Sequence, residues 1–336
     1  MYLKKTFLTP GNSSKYRETK SSMNEVKALI LCNNPVAIPG IKEFLFYGKV
    51  AAIATTKRNK EMQHVLEQLL KDTGVPLLLL NKKEYKTQLA EPIRQYEVTI
   101  GLMMTFPFMI TPELLQLPPK GFINFHYGLL PQCRGPQPIL RHLLNNDKEA
   151  GVTIHKVDEG IDTGPIIMQE KIPIEDNDTY GTLQSKFAFL AAKQAANLLK
   201  IISYGSVIPA VPQDETKAAY YEMPTAEDLT INWNEMTAQR IIRLVNACNP
   251  WNKGAVTKIN DKIIRILQAE KVNDEVSMIH PDSPGVIVAM NDSGVFVSTK
   301  AGSLLCIKFI YTDEGFLNAA RLNEFGIIAG NSFQII

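Results

Sequence analysis

Short unbroken apolar runs alternate with segments of helical periodicity from residue 26 onward. The runs at 26–32, 50–55, 75–80, 98–103 and 122–126 read as buried strands. Between them lie a short helix near 41–47, a helix over 59–72 with Met62, Val65, Leu66 and Leu69 on one face, and a helical stretch over 85–96. Such alternation implies an α/β domain with a mostly parallel sheet and helices on both faces. After residue 126 come a loop punctuated by Gly and Pro, a helix, a further strand, an acidic turn at Asp162, an edge strand over 166–172 and a long helix over 180–204. Segment 207–225, with Pro209, Pro212 and Pro224, reads as a linker. Residues 226–336 change pattern. An amphipathic helix over 238–248 precedes short strands at 255–259, 262–271, 285–290, 295–299 and 303–311, with turns at Asn260-Asp261 and 291–294. That is the pattern of a small open β-barrel.

Composition narrows the class. The 336 residues are 45% hydrophobic and 21% charged, enough for two ordinary globular domains, here 23–206 and 226–336. No apolar run reaches the roughly 20 residues of a membrane span. Cys32, Cys133, Cys248 and Cys306 are far apart in sequence, so neither a zinc site nor a disulfide framework is expected, and a cytoplasmic location fits. The net charge of +2 is uneven, because Lys4, Lys5, Lys15, Arg17 and Lys20 stand against Glu18 in the first 23 residues. The rest of the chain is mildly acidic, which argues against DNA binding and requires any nucleic-acid site to be local. Residues 1–22 read as a disordered basic extension, with Met23 opening the folded part; their Ser/Thr-rich, acid-poor composition is shared with organellar transit peptides. The first strand is followed by NNPVAIPG, not by a Gly-x-Gly-x-x-Gly turn, which disfavours nicotinamide or flavin chemistry.

Candidate chemistry concentrates in residues 121–164. Asn124 and His126 alternate at a strand end, and Asp162 sits in the Gly-x-Asp-x-Gly turn. Singly, each is an ordinary structural residue. Together they supply a hydrogen-bond donor for an oxyanion, a proton carrier and a carboxylate that tunes it, the needs of acyl transfer without a covalent intermediate. A Gly-x-Ser-x-Gly elbow is absent from the sequence and Cys133 has no evident base, which disfavours nucleophilic hydrolysis. Phe106, Phe108, Met109 and Ile110 cluster in the connection before this stretch, as a core patch or as a surface for a flat ring.

NFHYGLLPQCRGPQPI followed by GVTIHKVDEGIDTGPII resembles the signature of formyltransferases that use 10-formyltetrahydrofolate, Asn-x-His-x-Ser-Leu-Leu-Pro-x-x-Arg-Gly and then Asp-x-Gly-x-Asp-Thr-Gly. INW, NPWNKGA and the strands after them are similar to the C-terminal domain of the methionyl-tRNA formyltransferase family. The resemblance implies a Rossmann-like sheet plus an OB-like barrel, a one-carbon transferase activity and 10-formyltetrahydrofolate as co-substrate, with no metal. It implies Asn124, His126 and Asp162 as the catalytic trio, with Asp162 favouring a charged His126. It further implies a folate-lining loop of Gly128, Leu129, Leu130 and Pro131 shaped by Arg134 and Gly135, and a pterin pocket of Phe106, Phe108, Ile110, Asp158, Glu159, Gly160 and Ile161. Two departures stand out. Gly128 replaces the family's Ser, which removes a hydroxyl and loosens the loop. Segment 55–74 keeps only the cluster Lys57, Arg58 and Lys60 ahead of Lys71 where tRNA formylating relatives carry a longer basic loop. The acceptor amine is therefore Met-tRNA or a nucleotide-linked amino sugar. Water as acceptor, and a binding module without turnover, are the other readings.

Overall fold

The computed structural model describes residues 26–204, 207–272 and 283–336. The extension assigned to residues 1–22 and the start at Met23 lie outside the described residues. Strand β1 (Ala28–Cys32) is buried throughout, and its alternation feeds two cores. Ala28, Ile30 and Cys32 face one core with α1 (Ile38–Phe46) and α2 (Lys60–Leu70), whereas Leu29 and Leu31 face another with α3 (Tyr85–Gln95) and α4 (Pro112–Leu115). A strand covered on both faces must be apolar at every position, which is why it reads as a run and not an alternation. Asn59 caps α2 by accepting from the Met62 amide at 3.0 Å.

Seven strands form the first sheet in the order β3-β2-β1-β4-β5-β6-β7. β2 (Val50–Thr56), β3 (Leu77–Leu80), β4 (Ile100–Met104) and β5 (Phe122–His126) run parallel to β1; β6 (Glu149–Lys156) and β7 (Ile166–Pro173) continue antiparallel. The strand order reverses between β1 and β4, and that switch point opens a crevice at the strands' carboxyl ends. Helix α5 (Pro138–Asn145) and the long helix α6 (Tyr180–Tyr204) pack into the same core as α1.

The second sheet is antiparallel, in the order β10-β11-β12-β9-β8 with β13 on β12, consistent with a small barrel. Its strands are β8 (Ala255–Ile259), β9 (Lys262–Lys271), β10 (Ile287–Asn291), β11 (Gly294–Ser298), β12 (Leu304–Thr312) and β13 (Gly315–Asn318). Asn260 and Asp261, at φ 45° and 62°, make the β8–β9 hairpin turn. Helix α7 (Ala238–Cys248) fills the concave side, together with a buried Trp233 that stacks on Phe333 and donates to Thr257 Oγ1 at 2.9 Å. Leu144 and Leu229 touch the cores of both units, and Trp251 stacks on Tyr180 at 5.8 Å.

Residues 211–221 are not a free spacer. The Ala219 amide donates to Pro131 O (3.0 Å), the Arg134 amide to Ala219 O (2.9 Å) and the Tyr221 amide to Arg134 O (3.0 Å), while Val211 pairs with Ile166 at the sheet edge. Backbone groups that would otherwise face water are thereby paired, and the strap lies along the loop that follows β5.

Candidate active site

The alternation of FINFH sends Ile123 and Phe125 into the core and leaves Asn124 and His126 on the opposite face. The antiparallel register sets Asn124 opposite His155 and His126 opposite Thr153. Asp162 arrives on the turn after β6, where Asp158 Oδ1 accepts from the Gly160 amide (3.2 Å) and the Thr163 hydroxyl (2.6 Å). The three groups meet. Asn124 Nδ2 donates to Asp162 Oδ1 at 3.2 Å, and His126 Nδ1 lies 3.5 Å from Asp162 Oδ2. The Gly135 amide donates to Asp162 Oδ2 at 3.0 Å. Gly135 sits at φ 101°, and a Cβ there would be 2.2 Å from Tyr221 O, so its amide reaches the carboxylate only because it has no side chain.

His155 belongs to the same cluster, though no sequence pattern singles it out. Its Nδ1 is 2.8 Å from Lys156 O, a pure acceptor, so Nδ1 carries the hydrogen and Nε2 accepts from Asn124 Nδ2 at 3.1 Å. The Asn124 amide is thus oriented with its two hydrogens toward His155 and Asp162. The same reasoning fixes His126: Nε2 lies 2.6 Å from Cys133 O and must donate, which leaves the Nδ1 lone pair toward Asp162 and the cleft.

Burial is the strongest influence on His126 and pushes its imidazole below the ordinary 6.5, against the opposing pull of Asp162. Burial alone would raise the Asp162 carboxyl, but His126, His155 and the Gly135 amide together hold it below the usual carboxylate range. Both directions favour a neutral His126 beside an ionised Asp162, and the Gly135 and Asn124 amides donate to that carboxylate. Asp162 does favour the charged form, as expected of it, but desolvation of a 5% exposed ring outweighs a carboxylate 3.5 Å away. In an NMR titration the His126 ring, assigned against a His126→Asn chain, should show a midpoint below pH 6.5. A midpoint at or above that value would mean that the carboxylate and not burial governs the ring.

A cleft of about 600 Å³ opens over this cluster. Phe106, Phe108, Met109 and Ile110 line one wall, with the Phe106 and Phe108 rings 5.2 Å apart edge to face, and Asp158, Gly160 and Ile161 line another. Tyr85 braces the aromatic wall from outside, its ring 5.0 Å from Phe108 and its hydroxyl donating to Met109 O at 2.9 Å. The polar end carries Asn33, Asn34, Thr105, Gln137, Tyr180 and Gln184, none of which the sequence marked out. Burial pushes the Cys133 thiol up to about 12, so it is no nucleophile.

Several residues assigned to folate lining lie elsewhere. Glu159 is exposed and outside the cleft wall. Gly128, Leu129, Leu130 and Pro131 lie behind the cleft: Thr153 Oγ1 donates to Gly128 O (2.7 Å), the Leu130 amide donates to Thr153 Oγ1 (3.2 Å), and Gln169 Nε2 donates to Leu130 O (2.9 Å). Nor is the loop loosened at Gly128, since a Cβ there would stand 2.7 Å from Pro138 Cβ and 2.9 Å from His126 Nε2. Arg134 is buried and points away from the cleft toward Gln213, Glu215 and Tyr220, where the linker supplies a carboxylate for it.

Comparison with known proteins agrees with this geometry. The formyl transferase family model matches residues 16–199, and the model for the formyl transferase C-terminal domain matches 224–316. Methionyl-tRNA formyltransferase of Kosmotoga olearia is 31% identical over 79% of this chain and 85% of its own. That of Dictyoglomus thermophilum is 35% identical over 77% and 83%. Among solved structures, an N-formyltransferase of Helicobacter canadensis in complex with folinic acid and dTDP-3-aminofucose superposes with a TM-score of 0.63 over 84% of this chain and 98% of that one. HypX of Aquifex aeolicus in complex with tetrahydrofolic acid gives 0.62 over 89% and 47%. At 18% and 16% identity these two bear on the fold alone. With both of its units matched and its relatives covered over most of their length, the chain belongs to the formyltransferase family.

Proposed function

We propose that the cleft carries a formyl group from 10-formyltetrahydrofolate to the amino group of an RNA-borne acceptor, methionyl-tRNA, with Asn124, His126 and Asp162 as the catalytic residues. The observation that carries the formyl-transfer part is the meeting of an amide, an imidazole and a carboxylate at the base of a cleft walled by Phe106, Phe108 and Ile110. The aromatic wall suits the flat faces of a pterin, and Asp158, Gly160 and Ile161 face it across the opening. Attack by an amine builds negative charge on the formyl oxygen. The Asn124 hydrogen that rests on Asp162 at 3.2 Å is a weak bond, and the growing oxyanion competes for it. Nδ1 of neutral His126 takes the proton that the amine loses, and Asp162 stabilises the imidazolium so formed before the proton passes to the departing nitrogen.

The acceptor reading rests on the outer face of the second sheet. Register places Val256, Arg265, Tyr311 and Phe316 in one row. Lys253 Nζ stands 4.7 Å over the Tyr311 ring, Phe316 packs edge-on against it at 4.9 Å, and Phe309, Phe316 and Ile263 are exposed. Rings interleaved with cations form a stacking platform for a single strand. This face continues toward the cleft, because Arg265 donates to Asn252 O next to Trp251, and Trp251 stacks on the cleft residue Tyr180. A small amino-sugar nucleotide would make no use of it. What favours that second reading is the short segment after β2, where Lys57, Arg58 and Lys60 are the only cations before Lys71.

The protein is to be incubated with 10-formyltetrahydrofolate and Met-tRNA, an amino-sugar nucleotide, or buffer, while tetrahydrofolate release is followed. Release that depends on Met-tRNA is expected; dependence on the sugar, or release in buffer alone, would select the other acceptors. Combined Lys253→Ala and Phe316→Ala substitutions should raise KM for Met-tRNA about tenfold with kcat unchanged, on the order of one stacked base. Among the described residues no helix is long and apolar enough to cross a membrane, and the four cysteines are free and buried, in keeping with a cytoplasmic enzyme.

A further inference from the structure

The strap between the two units enters the site at Gln213. Its Nε2 donates to the backbone carbonyls of Asp162 at 2.7 Å and Gly164 at 2.8 Å, and its Oε1 accepts from Arg134 Nε at 3.1 Å and Nη2 at 2.8 Å. A guanidinium only donates and a carbonyl only accepts, so the orientation of this amide follows from its neighbours. Arg134 is fully buried. Its remaining donors go to Glu215 at 2.9 and 2.6 Å and to the Tyr220 hydroxyl, both on the same strap.

What the clamp holds is a turn in an uncommon conformation. Asp162 stands at φ 55°, in the left-handed region that a residue with a side chain occupies when its surroundings dictate it. From that backbone position the carboxylate lies 3.2 Å from Asn124 Nδ2 and 3.5 Å from His126 Nδ1. Among the described residues the Asp162 and Gly164 carbonyls take their hydrogen bonds from this one side chain, 51 and 49 residues further along the chain.

We propose that Gln213 is a positioning residue for catalysis, which acts by fixing the backbone of Asp162 and so the distance between its carboxylate and His126. This rests on the proposed role of Asp162. Arg134 serves the clamp from behind, as the group that orients the Gln213 amide.

The test uses the full chain. Gln213→Glu keeps a partner for Arg134 but turns an acceptor oxygen on two carbonyls; Gln213→Met keeps the length and removes both sets of bonds, and it carries the test if the first variant does not fold. Each is expected to lower kcat by about 10- to 100-fold, the order of loss for a catalytic group displaced by about an ångström, with KM for 10-formyltetrahydrofolate and its affinity by fluorescence quenching within about twofold of the parent. Added to Asp162→Asn, either substitution should cost nothing further in single-turnover release of tetrahydrofolate, because both act through one carboxylate. An unchanged kcat, a loss confined to KM, or losses that multiply in the double variant would overturn the inference. A fully active Asp162→Asn chain would instead overturn the reading of the site itself.

Discussion

Replacing Asp162 with Asn should lower kcat by about 10³- to 10⁴-fold, the scale seen when a carboxylate that steadies a catalytic imidazole becomes an amide. The substitution is conservative in every respect but one. Asn has the same shape, and it is one of the few side chains at ease in the left-handed backbone that Asp162 adopts at φ 55°. Its oxygen can still accept from the Gly135 amide, a 3.0 Å bond in the parent. Its NH2 group, however, then faces Asn124 Nδ2 and His155 Nε2, which lie 3.2 and 3.5 Å from Asp162 Oδ1. Two amide nitrogens cannot share a hydrogen bond without an acceptor between them, so Asn124 loses its orientation. The larger loss is charge. Burial already disfavours an imidazolium at His126, and without the carboxylate the ring has nothing nearby to support the proton it must take from the amine. Thermal unfolding and folate affinity should stay close to the parent. Turnover above about a tenth of the parental rate would take Asp162 out of the mechanism.

How much of this site could be read from the sequence depends on how local its causes are. The limits of β5, 122–126, follow from the sequence, because an apolar run that ends in alternating polar residues before Gly and Pro leaves little freedom. α6, α7, β8 and β9 were likewise placed at their observed limits, each set by helical or alternating periodicity and by turn residues such as Asn260-Asp261. β13 leaves no such mark, since GFLN is too short to show a period, and neither does the proline-flanked PELL of α4. Asn124, His126 and Asp162 were legible as a set because each lies at a strand end or in a recognisable turn.

His155 was not legible. It sits inside the buried run of β6, where a histidine reads as core, and its role arises from the β5–β6 register that sets it opposite Asn124. Arg134 was legible only as part of the loop it shapes, not in where its side chain goes. The motif attached it to the folate loop, but a buried guanidinium goes where its carboxylate is, and Glu215 is 81 residues away. Contacts of that separation leave no mark in the local pattern of either segment. Gln213 is hidden by the same cause, as a polar residue in a stretch whose composition says only linker.

Asn124→Ala is expected to lower kcat by about 10²- to 10³-fold, the usual loss when one oxyanion donor is removed, and to leave KM for 10-formyltetrahydrofolate within about threefold. The effect falls on kcat because the bond in question is stronger in the transition state than before it. At rest the Asn124 hydrogen is shared with a carboxylate at 3.2 Å, so a neutral formyl oxygen gains little by displacing that partner, whereas an oxyanion gains a full charge-assisted bond. His155 sharpens the argument. By accepting the second hydrogen of the same nitrogen at 3.1 Å it prevents the amide from turning its oxygen toward the cleft, where it would repel the developing charge. Truncation at Asn124 leaves His155 Nε2 and Asp162 Oδ1 without that donor, and both lie where a water can reach them from the cleft, so the loss of stability should be small. Initial rates across a range of folate concentrations separate the two parameters: a rise in KM with kcat preserved would make Asn124 a binding residue and leave the oxyanion without its donor in this site.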